Sequence, residues 1–392
     1  TLLTERLELR GANVGIDAHF IDLDPSFLTA TASATLSGAI RVRGHASLNL
    51  NGNTTWAQGP DELSLLSGLT NRRITIGAAG VFNDLGNGDG VRVMQGVQVA
   101  LQPGAEMLVQ GEYRRTGSGG RTVINQVEMI VPGLLTVEQG SLELRSNDTS
   151  FSGRVRIHPA ATLALNGGLK AFVGAQLVND GLIVMGEPAW EPPLVVTDAD
   201  TRWTGSGRLL LDSGSPAFNA DTILRNHGEI TMGSIEMRYS SRLAGTGRYT
   251  ATESFLAGID GAVRIGVSDD ALGPEVIAAG DAALGDMRIA GGASLTLQGN
   301  SMWMADTAIY LDNADLTLPN ARRTQLLIER GATLRATGGD QWIGREGPLE
   351  KPDSLIMNQG LIERVGAPGT TSIGSSSILI NQGRIASREG LV

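Results

Sequence analysis

The sequence predicts an all-β chain folded as a parallel β-helix, a β-solenoid in which short strands stack coil upon coil. Composition and internal repeats carry this prediction. Of the 392 residues, 53 are glycine, about twice the usual share of ~7%. The chain is 41% apolar and only 18% charged, which is too apolar for a disordered chain. These figures indicate a protein of many short strands and tight turns.

The first repeat reads Leu/Ile-x-Asn-x-Gly-x-Ile and occurs at 177–183, 224–230, 356–362 and 379–385. Sharp corners need left-handed backbone angles, which glycine adopts freely and asparagine tolerates. We therefore expect the asparagines and glycines to form turns and to stack between coils, with a ligand-binding asparagine row as the alternative. These residues are Asn179, Gly181, Asn226, Gly228, Asn358, Gly360, Asn381 and Gly383. The closing isoleucines, Ile183, Ile230, Ile362 and Ile385, should point inward.

A second repeat reads Ala-Ser/Thr-Leu-x-x-x-Gly-x-x-x-Trp and occurs at 46–56, 293–303 and 332–342. A fourth copy begins at Ala161 and has Ala171 in the tryptophan position. A residue fixed by a repeat is usually fixed by packing between coils. We expect this of Trp56, Trp303 and Trp342, with a glycan-stacking platform as the alternative.

The repeat spacings give the length of a coil. The interval from Asn358 to Asn381 is one period, and the interval from Asn179 to Asn226 is close to two such periods. Coils of about 20–24 residues fit both intervals and lie in the range of solenoid repeats. The repeats are regular over 135–392 and looser over 1–134, and we expect the two regions to form one continuous solenoid.

Three runs, 135–144, 149–153 and 155–167, resemble the strand repeats of bacterial autotransporter passengers. The Asn-x-Gly units and the Trp-x-Gly-x-Gly unit at 203–207 are similar to those of large haemagglutinin-like secreted adhesins. The resemblance covers 135–392 well and 1–134 loosely. It implies a right-handed parallel β-helix exported to the bacterial cell surface.

The charge balance excludes two classes of partner. With 41 acidic and 31 basic residues the net charge is −10, which repels nucleic acid and anionic membranes. No apolar run approaches the roughly 18 residues that a membrane-spanning helix needs. We therefore expect no nucleic-acid partner and no membrane insertion of this segment. The chain has no cysteine, which excludes disulfides and thiol chemistry.

A candidate calcium loop lies at 83–90, where oxygen-bearing side chains alternate with glycines. The candidate ligands are Asn83, Asp84, Asn87 and Asp89. Leu85 stands where a calcium loop of the EF-hand type needs an acidic or amide side chain, so a plain glycine-rich turn is the alternative. We expect no other cofactor.

These patterns predict an extracellular structural or adhesive solenoid without enzymatic activity: a stalk, fibre or filament subunit. β-Helices also host enzymes that cleave polysaccharides with paired carboxylates. The acidic residues here fall in pairs near turns, and we see no column of carboxylates one period apart. A glycan depolymerase and a glycan-binding module are therefore the alternatives. The expected partners are further coils or other copies of the chain, stacked end to end, and surface glycans or a host or neighbouring cell surface.

Overall fold

A computed structural model shows the fold. It describes residues 2–10, 14–17, 26–37, 40–43, 46–56, 63–65, 73–85, 105–117, 120–125, 127–145, 148–186, 193–213, 221–266, 272–312, 322–344, 354–366, 369–374 and 377–388.

The described residues form strands and turns, and none of them lies in an α-helix. Accordingly, no helix in these ranges could span a membrane. The strands are β1 Leu2–Arg10, β2 Val14–Asp17, β3 Ser26–Ser37, β4 Ile40–Arg43, β5 Ala46–Leu50, β6 Asn53–Trp56, β7 Leu63–Leu65, β8 Arg73–Ile76, β9 Val81–Asp84, β10 Ala105–Val109, β11 Glu112–Arg115, β12 Arg121–Asn125, β13 Val127–Val131, β14 Leu134–Val137, β15 Gly140–Arg145, β16 Thr149–Phe151, β17 Arg154–Ile157, β18 Ala161–Asn166, β19 Leu169–Phe172, β20 Gln176–Asn179, β21 Leu182–Met185, β22 Leu194–Thr197, β23 Arg202–Thr204, β24 Arg208–Asp212, β25 Ile223–Arg225, β26 Glu229–Arg238, β27 Arg242–Ala244, β28 Arg248–Ala257, β29 Val263–Ile265, β30 Glu275–Ala278, β31 Asp281–Leu284, β32 Met287–Ile289, β33 Ser294–Leu297, β34 Asn300–Trp303, β35 Thr307–Leu311, β36 Gln325–Ile328, β37 Thr333–Thr337, β38 Gln341–Gly344, β39 Ser354–Asn358, β40 Leu361–Val365, β41 Thr371–Ile373, β42 Ser377–Asn381 and β43 Arg384–Ser387.

The chain divides into two compact units, Thr1–Val184 and Met185–Val392. In the first unit, parallel pairing builds three ladders. Ladder A1 contains β5, β8, β10, β13, β16 and β19, ladder B1 contains β6, β9, β11, β14, β17 and β20, and ladder C1 contains β12, β15 and β18. Strand β3 is long enough to pair with both β5 and β6, while β2, β4 and β7 form a separate three-stranded sheet.

The second unit has the same arrangement of three parallel ladders. Ladder A2 contains β22, β25, β27, β29, β32, β35, β38 and β41. Ladder B2 contains β23, β30, β33, β36, β39 and β42, and ladder C2 contains β24, β31, β34, β37, β40 and β43; the long strands β26 and β28 contribute to both. The prediction of an all-β chain of stacked parallel strands is therefore confirmed.

Alternate residues of each strand point into a dry core, as the period of two along a strand requires. In the first unit the rings of Trp56, Phe82 and Tyr113 lie in contact on successive coils, with neighbouring centroids 6.2 Å and 5.4 Å apart. In the second unit Leu295 and Leu297 are completely buried. The core is therefore a column of apolar layers, one layer per coil.

Coil length varies more than the repeats indicate. Ala105 lies beside Val127 on the next coil, and this coil has the predicted length. The coil from Glu275 to its neighbour Ser294 is shorter than the predicted length. The coil from Thr307 to its neighbour Gln341 is about one and a half times the predicted length. The ladders tolerate this variation because loops between strands can lengthen without disturbing the pairing.

Buried glutamates tie neighbouring coils together on ladders C1 and C2. Each is 7% exposed or less, and each lies between two arginines, at least one of them on a neighbouring coil. The clusters are Glu143 with Arg121 and Arg145, Glu236 with Arg208 and Arg238, and Glu363 with Arg335 and Arg388. Only two of the 31 basic residues of the chain are lysines. This bias suits the clusters, because a planar guanidinium holds a carboxylate with two donors and keeps its charge.

Candidate functional site

The asparagines of the first repeat lie at turns. The side-chain oxygens of Asn179, Asn226 and Asn358 each accept a hydrogen bond from the glycine amide two residues later: Gly181 at 3.1 Å, Gly228 at 3.0 Å and Gly360 at 3.2 Å. All three asparagines are completely buried. Each side chain thus satisfies a backbone donor inside its own turn.

These asparagines also bond between coils. Asn358 donates through Nδ2 to Oδ1 of Asn381 at 2.7 Å, one coil on. Asn226 donates to the carbonyl of Arg248 at 3.1 Å and accepts from the hydroxyl of Thr197 at 2.5 Å. Asn381 is exposed, as is Gly383 in the turn that follows it. The side-chain bonds of this repeat therefore go to other parts of the chain.

The calcium candidates are only partly described. Asn83 donates to the carbonyl of Thr54 at 3.3 Å. The carboxylate of Asp84 is buried and accepts a hydrogen bond from the Tyr113 hydroxyl at 2.9 Å, with Nη1 of Arg115 at 3.5 Å. Burial and the adjacent Asp84 charge raise the pKa of Tyr113 well above its usual value. Asn87 and Asp89 lie outside the described residues.

Among the residues that the structure describes, no group of three or more histidines, aspartates or glutamates is placed to hold a metal ion. The calcium loop therefore stays a prediction.

The three tryptophans of the second repeat have two different placements. Trp56 and Trp303 are 1% and 0% exposed and lie in the cores of their units. Trp342 is half-buried on the outer face of ladder A2. The repeat places all three tryptophans at the same distance along the sequence, but only two of them pack inside.

Turn length accounts for the difference. Before Trp303, strand β33 ends at Leu297 and β34 begins at Asn300. Before Trp342, β37 continues to Thr337 and β38 begins at Gln341. The last inward residue of one strand and the first inward residue of the next are four positions apart in the first copy, Leu297 and Ser301, and five apart in the second, Ala336 and Gln341. A shift by one position reverses which side chains face inward. In β38, Gln341 and Ile343 are accordingly buried, and Trp342 faces out.

Trp342 forms one side of a groove of about 580 Å³ on the outer face of ladder A2. Its ring centroid lies 5.4 Å from that of Tyr310, with the rings inclined by 52°. Atom Cζ2 of the indole would lie 2.9 Å from a Cβ on Gly344 and 3.0 Å from a Cβ on Gly374. Both positions are glycine because the indole occupies the space that a side chain would need.

A row of aspartates lines the same groove. Each accepts a backbone N–H from the next coil through Oδ1: Asp286 from Ala308 at 2.9 Å, Asp306 from Asp340 at 2.9 Å, and Asp340 from Thr370 at 2.6 Å. These bonds fix the position of each carboxylate.

The aspartate row corrects the expectation that no column of carboxylates exists. The interval from Asp286 to Asp306 matches the predicted period, but the interval from Asp306 to Asp340 is half as long again. A search at one fixed period therefore misses the second interval. Tyr310 was also missed, because it belongs to neither repeat. The sequence feature that could have indicated the outward Trp342 is the pair of consecutive glycines at Gly338–Gly339, where the other two tryptophan copies have one glycine.

No protein-family model matches this sequence, and no curated protein matches it significantly. Among solved structures, the chain is similar to a TibC-catalysed hyper-glycosylated TibA fragment, with 11% identical residues, 98% of this chain and 99% of that chain covered, and a TM-score of 0.24. At this TM-score the likeness carries no argument about activity. The resemblance to autotransporter passengers thus depends on the repeat motifs and on the β-solenoid itself.

Proposed function

We propose that this chain is an extracellular, non-enzymatic β-solenoid of a bacterial surface, which holds a binding groove on a rigid scaffold. The partly exposed Trp342 and Tyr310 on the outer face of ladder A2 carry the proposal. Aromatic side chains with one apolar face and a polar edge are enriched at binding surfaces. The strands beneath them are fixed by parallel pairing on both sides.

The buried glutamates support a structural role for much of the charge. Glu143, Glu236 and Glu363 bind arginines across coils, so these carboxylates hold the solenoid together. An uncompensated buried carboxylate would be costly, and the paired guanidinium offsets part of that cost.

An adhesion experiment tests this function. Beads coated with the folded chain should retain bacterial or epithelial cells in greater number than beads coated with heat-unfolded chain. The heat-unfolded coating is the matched control, because it has the same composition and charge. Equal retention by the two coatings would contradict an adhesive role.

A polysaccharide-cleaving activity is the second candidate, and the aspartate row favours it. Paired strands on adjacent coils lie about 4.8 Å apart, a spacing that would bring neighbouring carboxylates close to the separation of about 5–5.5 Å in retaining glycosidases. Against it, Asp306 and Asp340 each accept a backbone N–H, which suits an ionised acceptor rather than a proton donor. New reducing ends in a neutral polysaccharide treated with the wild type but not with Asp340→Asn would establish cleavage.

End-to-end stacking with further coils or with a second copy of the chain stays a prediction. Light scattering at increasing protein concentration tests the second copy: a mass that grows with concentration supports stacking, and a constant monomer mass contradicts it.

A further inference from the structure

We propose that the groove between Tyr310 and Trp342 binds a neutral pyranose sugar of a surface glycan. This inference depends on the proposed adhesive function and names the ligand class of its groove. It is built from three observations: the supported indole of Trp342, the fixed aspartates and the charge of the groove.

The indole of Trp342 provides a flat stacking surface. By register, Ala308 lies beside it on one neighbouring coil and Ser372 on the other, and both side chains are small. Gly344 and Gly374 leave room for the ring to lie along the sheet. One face of a pyranose ring presents mostly C–H groups, which pack on the electron-rich face of an aromatic ring. The surroundings of Trp342 therefore suit a sugar ring laid on the indole.

Tyr310 closes one side of the groove and is itself held in place. The guanidinium carbon of Arg288 lies 5.3 Å from the centre of the Tyr310 ring. Arg288 in turn pairs with Asp312 at 3.0 Å. Because this arginine is bound to a carboxylate and to the ring, its charge is compensated before any ligand arrives. The tilt of 52° between Tyr310 and Trp342 makes a corner rather than a flat patch.

The aspartates supply acceptors for sugar hydroxyls. Asp306 and Asp340 each use Oδ1 for a backbone N–H. The second oxygen of each carboxylate belongs to an exposed side chain at the groove. A carboxylate accepts hydroxyl hydrogen bonds that are shorter and stronger than those between neutral groups. The groove thus places two fixed acceptors beside a stacking ring, and small-ligand sites likewise use a few placed polar groups to orient a ligand.

The charge of the groove selects the class of sugar. Asp286, Asp306 and Asp340 are acidic, and among the described residues that line the groove none is lysine, arginine or histidine. Uronic and sialic acids would bring a further negative charge next to these carboxylates, and like charges at this range repel. The groove therefore favours neutral hexoses over acidic sugars.

Binding of purified hexasaccharides tests the inference. The neutral probes are the hexasaccharides of glucose, mannose and galactose, and hexagalacturonate is the acidic probe. At least one neutral probe should bind, and hexagalacturonate should bind at least about tenfold more weakly. The double variant Asp306→Asn, Asp340→Asn should reduce that discrimination, because asparagine keeps the backbone bond and removes the charge.

Variants of the aromatic platform locate the site. Trp342→Ala should weaken binding by at least about tenfold, while Trp342→Phe should keep part of the affinity. Met302→Ala is the matched control: this side chain is 47% exposed, lies on ladder C2, and should not affect binding. Far-UV circular dichroism of each variant establishes that it is folded.

Three outcomes would overturn the inference: no neutral probe bound at about 10 mM, unchanged affinity in Trp342→Ala, or preference for hexagalacturonate. Its failure can be told apart from failure of the adhesive function. If beads coated with Trp342→Ala retain as many cells as wild-type beads, the sugar site is wrong and the adhesive role stands. If wild-type beads retain no more than unfolded chain, the adhesive role is wrong.

Discussion

Two copies of one repeat, 293–303 and 332–342, have nearly the same sequence pattern and opposite placements of their tryptophan. Trp303 is completely buried, and Trp342 is partly exposed. The copy at 332–342 turns through Gly338 and Gly339, both with φ of +60°, whereas Gly299 has no positive φ. The copy at 293–303 joins ladders B2 and C2, whereas the copy at 332–342 joins ladders C2 and A2. Whether the repeated tryptophan packs in the core or faces out therefore follows the corner of the solenoid that the copy occupies and the turn made there.

The copy beginning at Ala161 follows the same rule. It turns through Gly167 and Gly168, with φ of +59° and +65°. The next inward side chain is Lys170, which donates to the carbonyl of Gly167 at 2.7 Å. In the copy at 332–342 the corresponding inward residue is Gln341. In both copies with a two-glycine turn, the tenth residue after the alanine faces out. The residue just before it is polar and is buried beneath the turn.

Removing each indole is the strongest test of the comparison. Trp303→Ala should lower the free energy of unfolding by about 3–5 kcal/mol, because it leaves a cavity in a close-packed layer. Trp342→Ala should lower it by less, about 1–2 kcal/mol, since the indole is only partly buried and its removal opens no enclosed cavity. Urea unfolding followed by far-UV circular dichroism measures both. Equal losses would mean that the two tryptophans share one environment.

The second-largest loss of stability is expected on replacing Arg364, whose guanidinium lies beneath the turn at Gly338–Gly339. Arg364 is 1% exposed and donates to Gln341 Oε1 at 2.7 Å, to the Thr371 hydroxyl at 2.9 Å and to the Gly339 carbonyl at 3.0 Å. Arg364→Met should cost about 2–3 kcal/mol, because it leaves buried acceptors without donors. Arg384→Met, on an exposed residue, is the control and should have little effect. A loss below about 0.5 kcal/mol for Arg364→Met would mean that the turn holds without this side chain.

Lys170, beneath the turn at Gly167, should change the free energy of unfolding by a similar amount, and this change depends on pH. Burial lowers the pKa of Lys170 from 10.5 to about 8, although the charge of Asp148 acts in the opposite direction. Between these values the unfolded chain binds more protons than the folded one, so stability rises with pH. Below about pH 8 both states are charged and the folded state bears the full desolvation cost.

Lys170→Met removes that dependence. Its stability relative to wild type should fall by about 2–3 kcal/mol as the pH rises from about 8 to about 10.5. Denaturant unfolding of both proteins at several pH values gives the difference directly. A constant difference across this window would show that Lys170 titrates normally.

The turn glycines should show the smallest effect. A Cβ on Gly338 would meet no atom within 4 Å, so only its left-handed backbone opposes a side chain. Gly338→Ala should cost about 1–2 kcal/mol. Gly338→Asn should cost less, since asparagine tolerates this conformation. Thermal unfolding of the two variants side by side measures the difference, and a more stable alanine variant would contradict the role assigned to φ.

The repeats predicted the fold because glycine, asparagine and alternating apolar residues act locally. The inward isoleucines illustrate this: Ile183, Ile230 and Ile362 are 1% exposed or less. The groove depends instead on how coils of unequal length align. Asp306 and Asp340 come together only because a coil longer than the predicted period keeps its ladders in register, and no fixed period reveals that alignment. The buried pair of Asp84 and Arg115 was missed for a related reason. Within its own strand, each charged residue is expected to lie on the surface, and only the alignment of the two coils brings them together.

The glutamates held between arginines have a mechanical consequence. A tensile force along the stacking axis loads the hydrogen bonds between successive coils in series. The coils are therefore expected to unfold one at a time. Each released coil of the predicted length adds about 70 Å of extended chain. The clusters around Glu143, Glu236 and Glu363 add charged links between coils at separate levels. Within either unit, a tether made this way would lengthen in steps and dissipate load before its attachment fails.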